Sequence, residues 1–495
     1  TLRNVGLGSG ILASVTTGSD NVAIGNKALQ SGTTAHQNVV VGNRALDAAT
    51  TTNDTVAVGF EALTTNTTGA ANVAVGHRSL QANTTGSQNT AVGRQALISN
   101  TTTSGLTAVG YHALYSNTTG TKNVGVGNSA LISNSTGANN TALGFEALKT
   151  NTTTSYNTAV GTSALKVTVA GYNTAVGHDA LSSNTTGEFN TAVGDNALLS
   201  ATTADKNTAL GRSAMTNTTT GANNTAVGQN AGANITTADY NTAVGSDSLK
   251  TNTTGANNTA VGYQALESNT TASNNTAVGY DALKVNTTGT QNNAFGRGAL
   301  DANTTGANHV AIGNNALGSN TTGDNSTAIG VNALTANTTG SYNVAMGHNA
   351  LDANTTGAQN TALGYQALTA STTVNSNVAI GYNAMAANTT GADNTAVGTA
   401  ALDANTTASA NTAIGRSALG ACTTGANNVA LGYQAGSGLT TAARCTIIGQ
   451  GAANAALTGD DNVIIGREAG YAMTSGGTNT SVGNYSLQNT TTGTA

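Results

Sequence analysis

Histidine, cysteine and carboxylate side chains carry most metal binding and acid–base chemistry in proteins, and this chain uses few of them. The histidines and cysteines are His36, His77, His112, His178, His309, His348, Cys422 and Cys445. No two histidines stand at metal-ligand spacing, and catalysis needs different residue types that converge on one place. The sequence therefore predicts no catalytic site, no metal site and no cofactor, so we do not expect an enzyme.

Tyrosines are the most distinctive polar residues, because several recur at one fixed place in a repeated unit. They are Tyr111, Tyr263, Tyr280, Tyr365, Tyr382 and Tyr433. An exposed tyrosine offers both an apolar ring and a hydroxyl group, which suits contact with glycans or another surface. We expect these tyrosines to form a surface-contact ridge. The alternative is a solvated corner of the fold that needs no particular residue.

The repeated unit is 17 residues long, of the form N-T-A-V-G-x-x-A-L-x-x-N-T-T-G-x-N. We number its positions from the glycine of A-V-G, which is position 0 and recurs from Gly8 to Gly483 in 29 copies. Only the step from Gly161 to Gly177 is shorter, at 16 residues, and the N-T-T-G stretch is altered there. Residues 1–495 are thus predicted to form one continuous array, in which deletions are tolerated in that stretch.

Composition excludes several classes of partner. Charged residues make up 7% of the chain, the net charge is −5 and no basic stripe exists, so nucleic acid is not an expected partner. There is no apolar run long enough to span a membrane and no signal-peptide pattern. Because the chain starts at Thr1 without methionine, we expect a piece of, or a processed form of, a longer protein.

The period favours β-structure. A helix turns about 100° per residue, so apolar rows with this repeat would spiral around it and leave no apolar face. T-A-V-G is typical of a strand, and the Asn and Gly of N-T-T-G are typical of turns. Disorder is the alternative for such a low-complexity chain, but the fixed phase and the absence of proline argue against it. We predict an all-β, parallel β-solenoid (β-roll) of 17-residue coils.

Stacked coils turn each repeat position into a row. We expect the aliphatic row at −1, such as Val58 and Val75, and the leucine row at +4, such as Leu63, to form the interior. Position −4 is Asn in 24 of 29 units. Its frequency predicts a stacked amide ladder, with a simple turn preference as the alternative.

Neighbouring residues of a strand face opposite sides, so the small residues at −2 and 0 form a second face. Polar residues are scarce on that face, and one coil offers little apolar surface to bury. We therefore expect several chains to pack there. The predicted chain-contact residues are Ala226, Gly228, Ala260, Gly262, Ile447 and Ile464. Ile447 and Ile464 replace the usual −2 alanine and are expected to clamp the chains in register, with drift at the end of the repeat as the alternative.

The unit resembles two known repeat families over the whole chain. N-V-A-I-G at residues 21–25 resembles the N-S-V-A-I-G repeats in heads of trimeric autotransporter adhesins. N-T-A-V-G-Y-Q-A-L at residues 258–266 is similar to units of phage tail-fibre shafts. The resemblance implies a left-handed β-roll, three chains in a homotrimer, and an extracellular location on a cell surface or a virion. It also implies attachment to cell-surface glycans or a host envelope.

The expected function is therefore a structural and adhesive extracellular fibre. Paired threonines, such as Thr67-Thr68 and Thr304-Thr305, leave ice binding as an alternative, since threonine ladders on β-solenoids can order water. A purely structural filament is a further alternative. The N-T-T triplets also match the acceptor for N-glycosylation.

Overall fold

The structure, a computed structural model, describes residues 3–493, and within that range every regular element is a three-residue β-strand. The chain divides into two compact units, Thr1–Ser246 and Asp247–Ala495. Each unit is a stack of coils, and each coil contributes one strand.

The first unit contains strands β1 to β15. They are β1 (Val5–Leu7), β2 (Val22–Ile24), β3 (Val39–Val41), β4 (Val56–Val58), β5 (Val73–Val75), β6 (Thr90–Val92), β7 (Thr107–Val109), β8 (Val124–Val126), β9 (Thr141–Leu143), β10 (Thr158–Val160), β11 (Thr174–Val176), β12 (Thr191–Val193), β13 (Thr208–Leu210), β14 (Thr225–Val227) and β15 (Thr242–Val244).

The second unit contains strands β16 to β29. They are β16 (Thr259–Val261), β17 (Thr276–Val278), β18 (Asn293–Phe295), β19 (Val310–Ile312), β20 (Thr327–Ile329), β21 (Val344–Met346), β22 (Thr361–Leu363), β23 (Val378–Ile380), β24 (Thr395–Val397), β25 (Thr412–Ile414), β26 (Val429–Leu431), β27 (Thr446–Ile448), β28 (Val463–Ile465) and β29 (Thr480–Val482).

Within each unit the strands pair in parallel, with each repeat position opposite its equivalent one coil away. Ala192 of β12 pairs with Ala209 of β13, and Ala277 of β17 pairs with Ala294 of β18. The short coil keeps this register, since Thr158 still pairs with Thr174. The predicted parallel β-solenoid with 17-residue coils is confirmed.

The residue missing from the short coil is the one at position +9. Val169 donates its backbone N–H to Thr185 O, which is the hydrogen bond that +8 residues make in regular coils. Asn157 Nδ2 donates to Ala170 O, and in regular coils the acceptor of this bond is the +10 carbonyl. Position +9 is exposed in regular coils, as at Thr68 and Thr271. Removing this exposed loop residue leaves the core and the strand register unchanged, because the residue takes no part in core packing or in strand pairing.

Each strand ends at the position 0 glycine because the chain bends there through a conformation that other residues avoid. At Gly262 φ is +137°, and a Cβ atom would lie 2.3 Å from the carbonyl oxygen of Gly279 in the next coil. Only glycine combines this backbone angle with this close approach.

The leucine at +4 also adopts the left-handed region, with φ of 53° at Leu63 and 51° at Leu97. A left-handed residue costs about 1–2 kcal/mol, and a β-branched residue is especially disfavoured there. Accordingly, position +4 is never Val, Ile or Thr in any unit. Burying the side chain offsets the cost, since both leucines are fully inaccessible to solvent.

The interior differs from the predicted one. The −2 and +3 alanines, such as Ala260 and Ala265, are fully buried together with the +4 leucines. The −1 residues point outward, and Leu143 and Leu210 each remain 47% exposed. The prediction that the −1 row lies inside is wrong. The coil is narrow, and the small −2 alanine fits beside the buried +4 leucine. The larger −1 residue of the strand therefore faces away from the interior.

The predicted amide ladder at −4 is confirmed. Asn38 donates its backbone N–H and its Nδ2 to Asn21 Oδ1, at 3.1 and 2.9 Å, and the same Nδ2 bonds Thr52 O at 2.9 Å. In the second unit Asn377 N bonds Asn360 Oδ1 at 3.0 Å. These asparagines are fully buried, and each amide satisfies backbone groups that the corner would otherwise leave unpaired.

A second asparagine ladder stands at +7, where the sequence predicts only a turn. Asn83 Nδ2 bonds Asn66 Oδ1 at 2.7 Å and Gly86 O at 2.9 Å. The ladder is interrupted where the next residue of the row is not asparagine, and an amide oxygen can then lack a partner. Asn354 Oδ1 is buried without a hydrogen-bond partner below Ser371, whose hydroxyl is likewise unpartnered.

Some coils fill the core differently. Gly232, Gly436 and Gly470 stand at +4, where leucine is usual, and the residues three positions later are Ile235, Leu439 and Met473 in place of Asn. A Cβ on Gly232 would lie 2.8 Å from Ile235 Cδ1. At Gly232 and Gly470 the +7 side chain thus occupies the space that the missing leucine leaves, so these two positions change together.

Candidate functional surfaces

The six tyrosines of the predicted ridge stand at position +1, directly after the strand-ending glycine. All of them are exposed, from 41% at Tyr111 to 54% at Tyr382. The bend at position 0 turns the +1 side chain away from the core, so this row lies on the solvent side of each coil. The six tyrosines are therefore exposed, and their role as a surface-contact ridge stays a prediction.

Many rings of this row pack against the next residue of the row. Tyr263 and Tyr280 stack with centroids 5.4 Å apart, and Tyr365 and Tyr382 stack at 5.3 Å. Arg94 lies over the Tyr111 ring at 5.6 Å. Stacking of this kind covers ring faces, so the row presents mainly ring edges and hydroxyl groups to solvent.

The structure shows a second aromatic row, at −5, that the sequence did not predict. Tyr156, Tyr172 and Phe189 stack in succession at 5.0 and 5.1 Å, and each is more than half exposed. Their backbone is left-handed, with φ between 58° and 64°. Each of the three residues directly precedes the asparagine at −4, so the repeat itself places them in one row. The other residues of that row are mostly small or polar, which makes the aromatic run hard to recognise in the sequence.

The outer face of the strands combines aliphatic and threonine side chains along the whole of each stack. It consists of the −3 and −1 residues, which we call the sheet face. Position −1 is aliphatic, Met or Phe in every strand, and position −3 is Val or Thr except at Asn293. The face therefore carries no charged side chain. Its exposed members include Ile312, Leu363 and Leu431, which are 40–46% exposed.

The six predicted chain-contact residues do not supply this face. Ala226, Ala260, Ile447 and Ile464 are fully buried within their own coils. Gly228 and Gly262 are half-buried and form the bend after the strand. A side chain that its own coil already covers has no surface to offer a second chain. If chains pack together, these residues are not the ones that meet.

Ile447 and Ile464 fill the core of their own chain and do not form an exposed clamp. Ile447 Cδ1 lies 3.0 Å from the place where a Cβ of Gly436 would stand, and Ile464 Cδ1 lies 3.2 Å from that of Gly470. Both isoleucines therefore occupy volume that the glycines at +4 leave open. The larger −2 side chain compensates for the smaller +4 residue.

The paired threonines have different environments. The +8 hydroxyl donates to the +8 carbonyl of the next coil, as Thr67 Oγ1 does to Thr84 O at 3.0 Å. The +9 threonine, such as Thr68, is exposed. The asparagine that precedes the pair, such as Asn66, is fully buried. The folded coil therefore hides the amide nitrogen that N-glycosylation would modify.

Ionisable groups form surface ion pairs. Glu146 lies 2.7 Å from Lys149 Nζ and 2.8 Å from Lys166 Nζ, and hydrogen bonds from these lysines hold the pKa of its carboxyl below the usual range. A carboxylate held ionised in this way does not serve as an acid. Within residues 3–493 no three His, Cys, Asp or Glu side chains come together as a metal site.

Both cysteines are buried and free. Burial raises the pKa of the Cys422 thiol to about 11 and raises that of Cys445 as well. A thiol with so high a pKa is almost entirely protonated near neutral pH, so neither side chain is an activated nucleophile.

His309 replaces asparagine in the −4 ladder and is fully buried. Its Nε2 lies 2.6 Å from Gly323 O, and its Nδ1 accepts the backbone N–H of Ser326 at 3.2 Å. The ring thus reproduces the donor and acceptor of an asparagine amide, which requires the neutral form with hydrogen on Nε2. Burial lowers its pKa, although Asp324 acts in the opposite direction.

This geometry predicts acid sensitivity. The folded pKa of His309 lies below the unfolded value, so its contribution to stability is complete above the unfolded pKa, about 6.5, and declines as the pH falls toward the folded pKa. Each pH unit in that window costs about 1.4 kcal/mol. Urea unfolding at pH 7.5 and at pH 5 should show less pH dependence in His309→Asn. An unchanged pH dependence would contradict this assignment.

The described residues contain no apolar helix of membrane-spanning length. No protein-family model matches this chain, and no curated protein matches it either.

Proposed function

We propose that this chain is the shaft or head of a homotrimeric extracellular fibre, built of left-handed β-rolls that pack through their sheet faces. The fibre would serve a structural and adhesive role on a cell surface or a virion, and we assign it no catalytic activity. The observation that supports this proposal is the uncharged sheet face, which has an aliphatic, Met or Phe side chain at −1 in every strand.

The size of the sheet face supports association. A three-residue strand is about 10 Å long and coils are spaced about 4.8 Å, so each unit offers a face of roughly 700 Å². The largest apolar patch on a typical monomer is about 300–600 Å², whereas a standard interface buries about 800 Å² per partner. One unit alone thus approaches the area of a stable interface between two copies.

The composition of the face supports the same conclusion. Burying a charged side chain is costly, so charges on a sheet face oppose its association with another chain, and none occurs at −3 or −1 in any strand. Every charged residue stands instead at −6, −5, +1, +2 or +5, as at Glu146, Lys149 and Lys166. The chain keeps its charged groups on the corners and leaves the sheet face free to be covered.

A charge on the sheet face should dissociate the fibre. Val193 and Val261 stand at −1, one in each unit. In Val193→Lys/Val261→Lys the long side chains remain solvated in a monomer but would be buried in an oligomer, which is strongly unfavourable. We expect sedimentation equilibrium to show a trimer for the native chain and a monomer for the variant, with unchanged circular dichroism.

The matched control is Thr203→Lys/Thr271→Lys, which adds the same charge at the exposed +9 position of the same coils. The control should remain trimeric. A monomeric native chain, or a lysine variant that stays trimeric, would contradict the proposed packing.

Binding to cells should also increase with fibre length, because repeated weak contacts add avidity.

Ice binding is the second candidate, favoured by one observation. In β9 to β15 seven consecutive strands carry Thr at −3 and Val or Leu at −1, which gives a regular, uncharged array of hydroxyl and aliphatic groups. Such an array is a suitable template for ordered water. Ice-crystal shaping or thermal hysteresis by the purified chain would support this function, and their absence would remove it.

A further inference from the structure

An open cavity lies on the surface of the second unit. Its volume is about 420 Å³, within the range of roughly 300–1,000 Å³ that is typical of small-molecule sites. Its lining residues are Asp301, Ala302, Asn315, Gly318, Ser319 and Thr335. They come from positions +2, +5 and +6 of three consecutive coils, so the cavity runs along the stack.

Gly318 lines this cavity, and Gly298 lies beside two of its lining residues, Asp301 and Asn315. Gly318 stands at +5 and Gly298 at +2, and both positions carry a side chain in most other coils. A Cβ on Gly318 would lie 3.5 Å from Asp301 Oδ1, and a Cβ on Gly298 would lie 2.8 Å from Asn315 Oδ1. The side chains that are absent here would stand beside the carboxylate and the amide of the lining. Their absence exposes both groups to a ligand.

The lining is rich in hydrogen-bonding groups and has no cation. Asp301 supplies a half-buried carboxyl group, Asn315 an amide, and Ser319 and Thr335 a hydroxyl group each. Burial raises the pKa of Asp301, and the nearby Asp281 acts in the same direction. Because the lining contains a carboxyl group and no cation, it disfavours an anion and can accept hydrogen bonds from the hydroxyl groups of a neutral partner.

We propose that this cavity binds a neutral polyhydroxylated ligand, namely one sugar residue of a surface glycan. A carboxylate accepts hydrogen bonds from two hydroxyl groups at once, and amide and hydroxyl side chains complete the contacts. A lining with four polar side chains disfavours an apolar ligand. This proposal rests on the proposed adhesive function and names the chemistry that would recognise its receptor.

The test uses the full chain and free sugars. Saturation-transfer NMR would be recorded with glucose, galactose, mannose, N-acetylglucosamine and glucuronic acid. A site of this size with one charged group should bind with Kd on the order of 1 mM. We expect transfer to at least one neutral sugar and none to glucuronic acid. Absence of transfer to every neutral sugar would overturn the proposal.

Gly318→Thr should abolish the transfer, because it places a side chain in the cavity. The substitution suits the fold, since Thr335 and Thr369 stand at the same position in other coils. Gly420→Thr is the matched control: Gly420 also stands at +5 beside an aspartate, Asp403, but Ala400 occupies the place of Gly298. The control should bind normally. Binding that survives Gly318→Thr would place the sugar elsewhere.

Asp301→Asn should weaken binding at least tenfold, since it keeps the shape of the lining but removes the charged acceptor. An unchanged affinity would contradict the role of the carboxyl group. The outcome is independent of fibre assembly, because free sugars report on a monomer as well as on a trimer. A trimer that binds no sugar overturns this inference alone, and a monomer that binds sugar overturns only the packing.

Discussion

Gly262→Ala is expected to destabilise the second unit by about 4 kcal/mol. The backbone at Gly262 has φ of +137°, and the added methyl group would lie 2.3 Å from Gly279 O. Strain at such an angle costs about 1–3 kcal/mol, and relief of the clash requires the stacked coils to separate locally. The free energy of unfolding would be measured by urea denaturation.

The control for this substitution is Gly289→Ala at position +10. A Cβ at Gly289 would also meet the next coil closely, at 2.3 Å from Gly306 O, but φ there is not in the left-handed region. Alanine occurs naturally at +10, as at Ala272 and Ala408. We expect a loss below about 1 kcal/mol. Equal losses at both glycines would show that crowding, and not backbone angle, selects glycine at position 0.

Gly232→Leu is expected to be strongly destabilising alone and to be rescued by Ile235→Asn. The added side chain would collide with Ile235, whose Cδ1 lies 2.8 Å from the Cβ position, and overpacking of this kind costs about 1–3 kcal/mol. Ile235→Asn alone should cost about 2–5 kcal/mol, because it leaves a cavity beside Gly232.

The double variant Gly232→Leu/Ile235→Asn recreates the usual pair of Leu at +4 and Asn at +7. The introduced amide would also offer a donor near Thr218, whose buried hydroxyl has no hydrogen-bond partner. We expect a coupling energy of at least about 2 kcal/mol in urea unfolding. Additive losses would mean that the two positions do not share one space.

The sequence was sufficient for the architecture. A glycine recurs every 17 residues from Gly8 to Gly483, with one 16-residue step, and each unit contains the strand-forming segment T-A-V-G. Identical units can stack with equal positions in register, so this pattern predicts a parallel β-solenoid. The ladder at −4 was also predictable, since a buried corner needs an amide to satisfy backbone groups.

The candidate site was predictable only in part. The residue type at +1 varies from coil to coil, which is typical of exposed positions. The tyrosines that stand there are exposed in the structure. The cavity beside Asp301 was not predictable, because it depends on Gly298 and Gly318 standing in different coils. Residues that are distant in sequence become neighbours there only through stacking.

The amino-acid sequence by itself determined the coil length, the strand in each coil and the register between coils, since these follow from local propensity and period. Only the tertiary structure decided which strand face is interior. Alternation in T-A-V shows that Ala260 and Val261 face opposite sides, but neither side carries charge. The left-handed turn at Leu266 buries its side chain inside the same narrow coil as Ala260, so the side with the smaller residue becomes the interior and Val261 remains partly exposed.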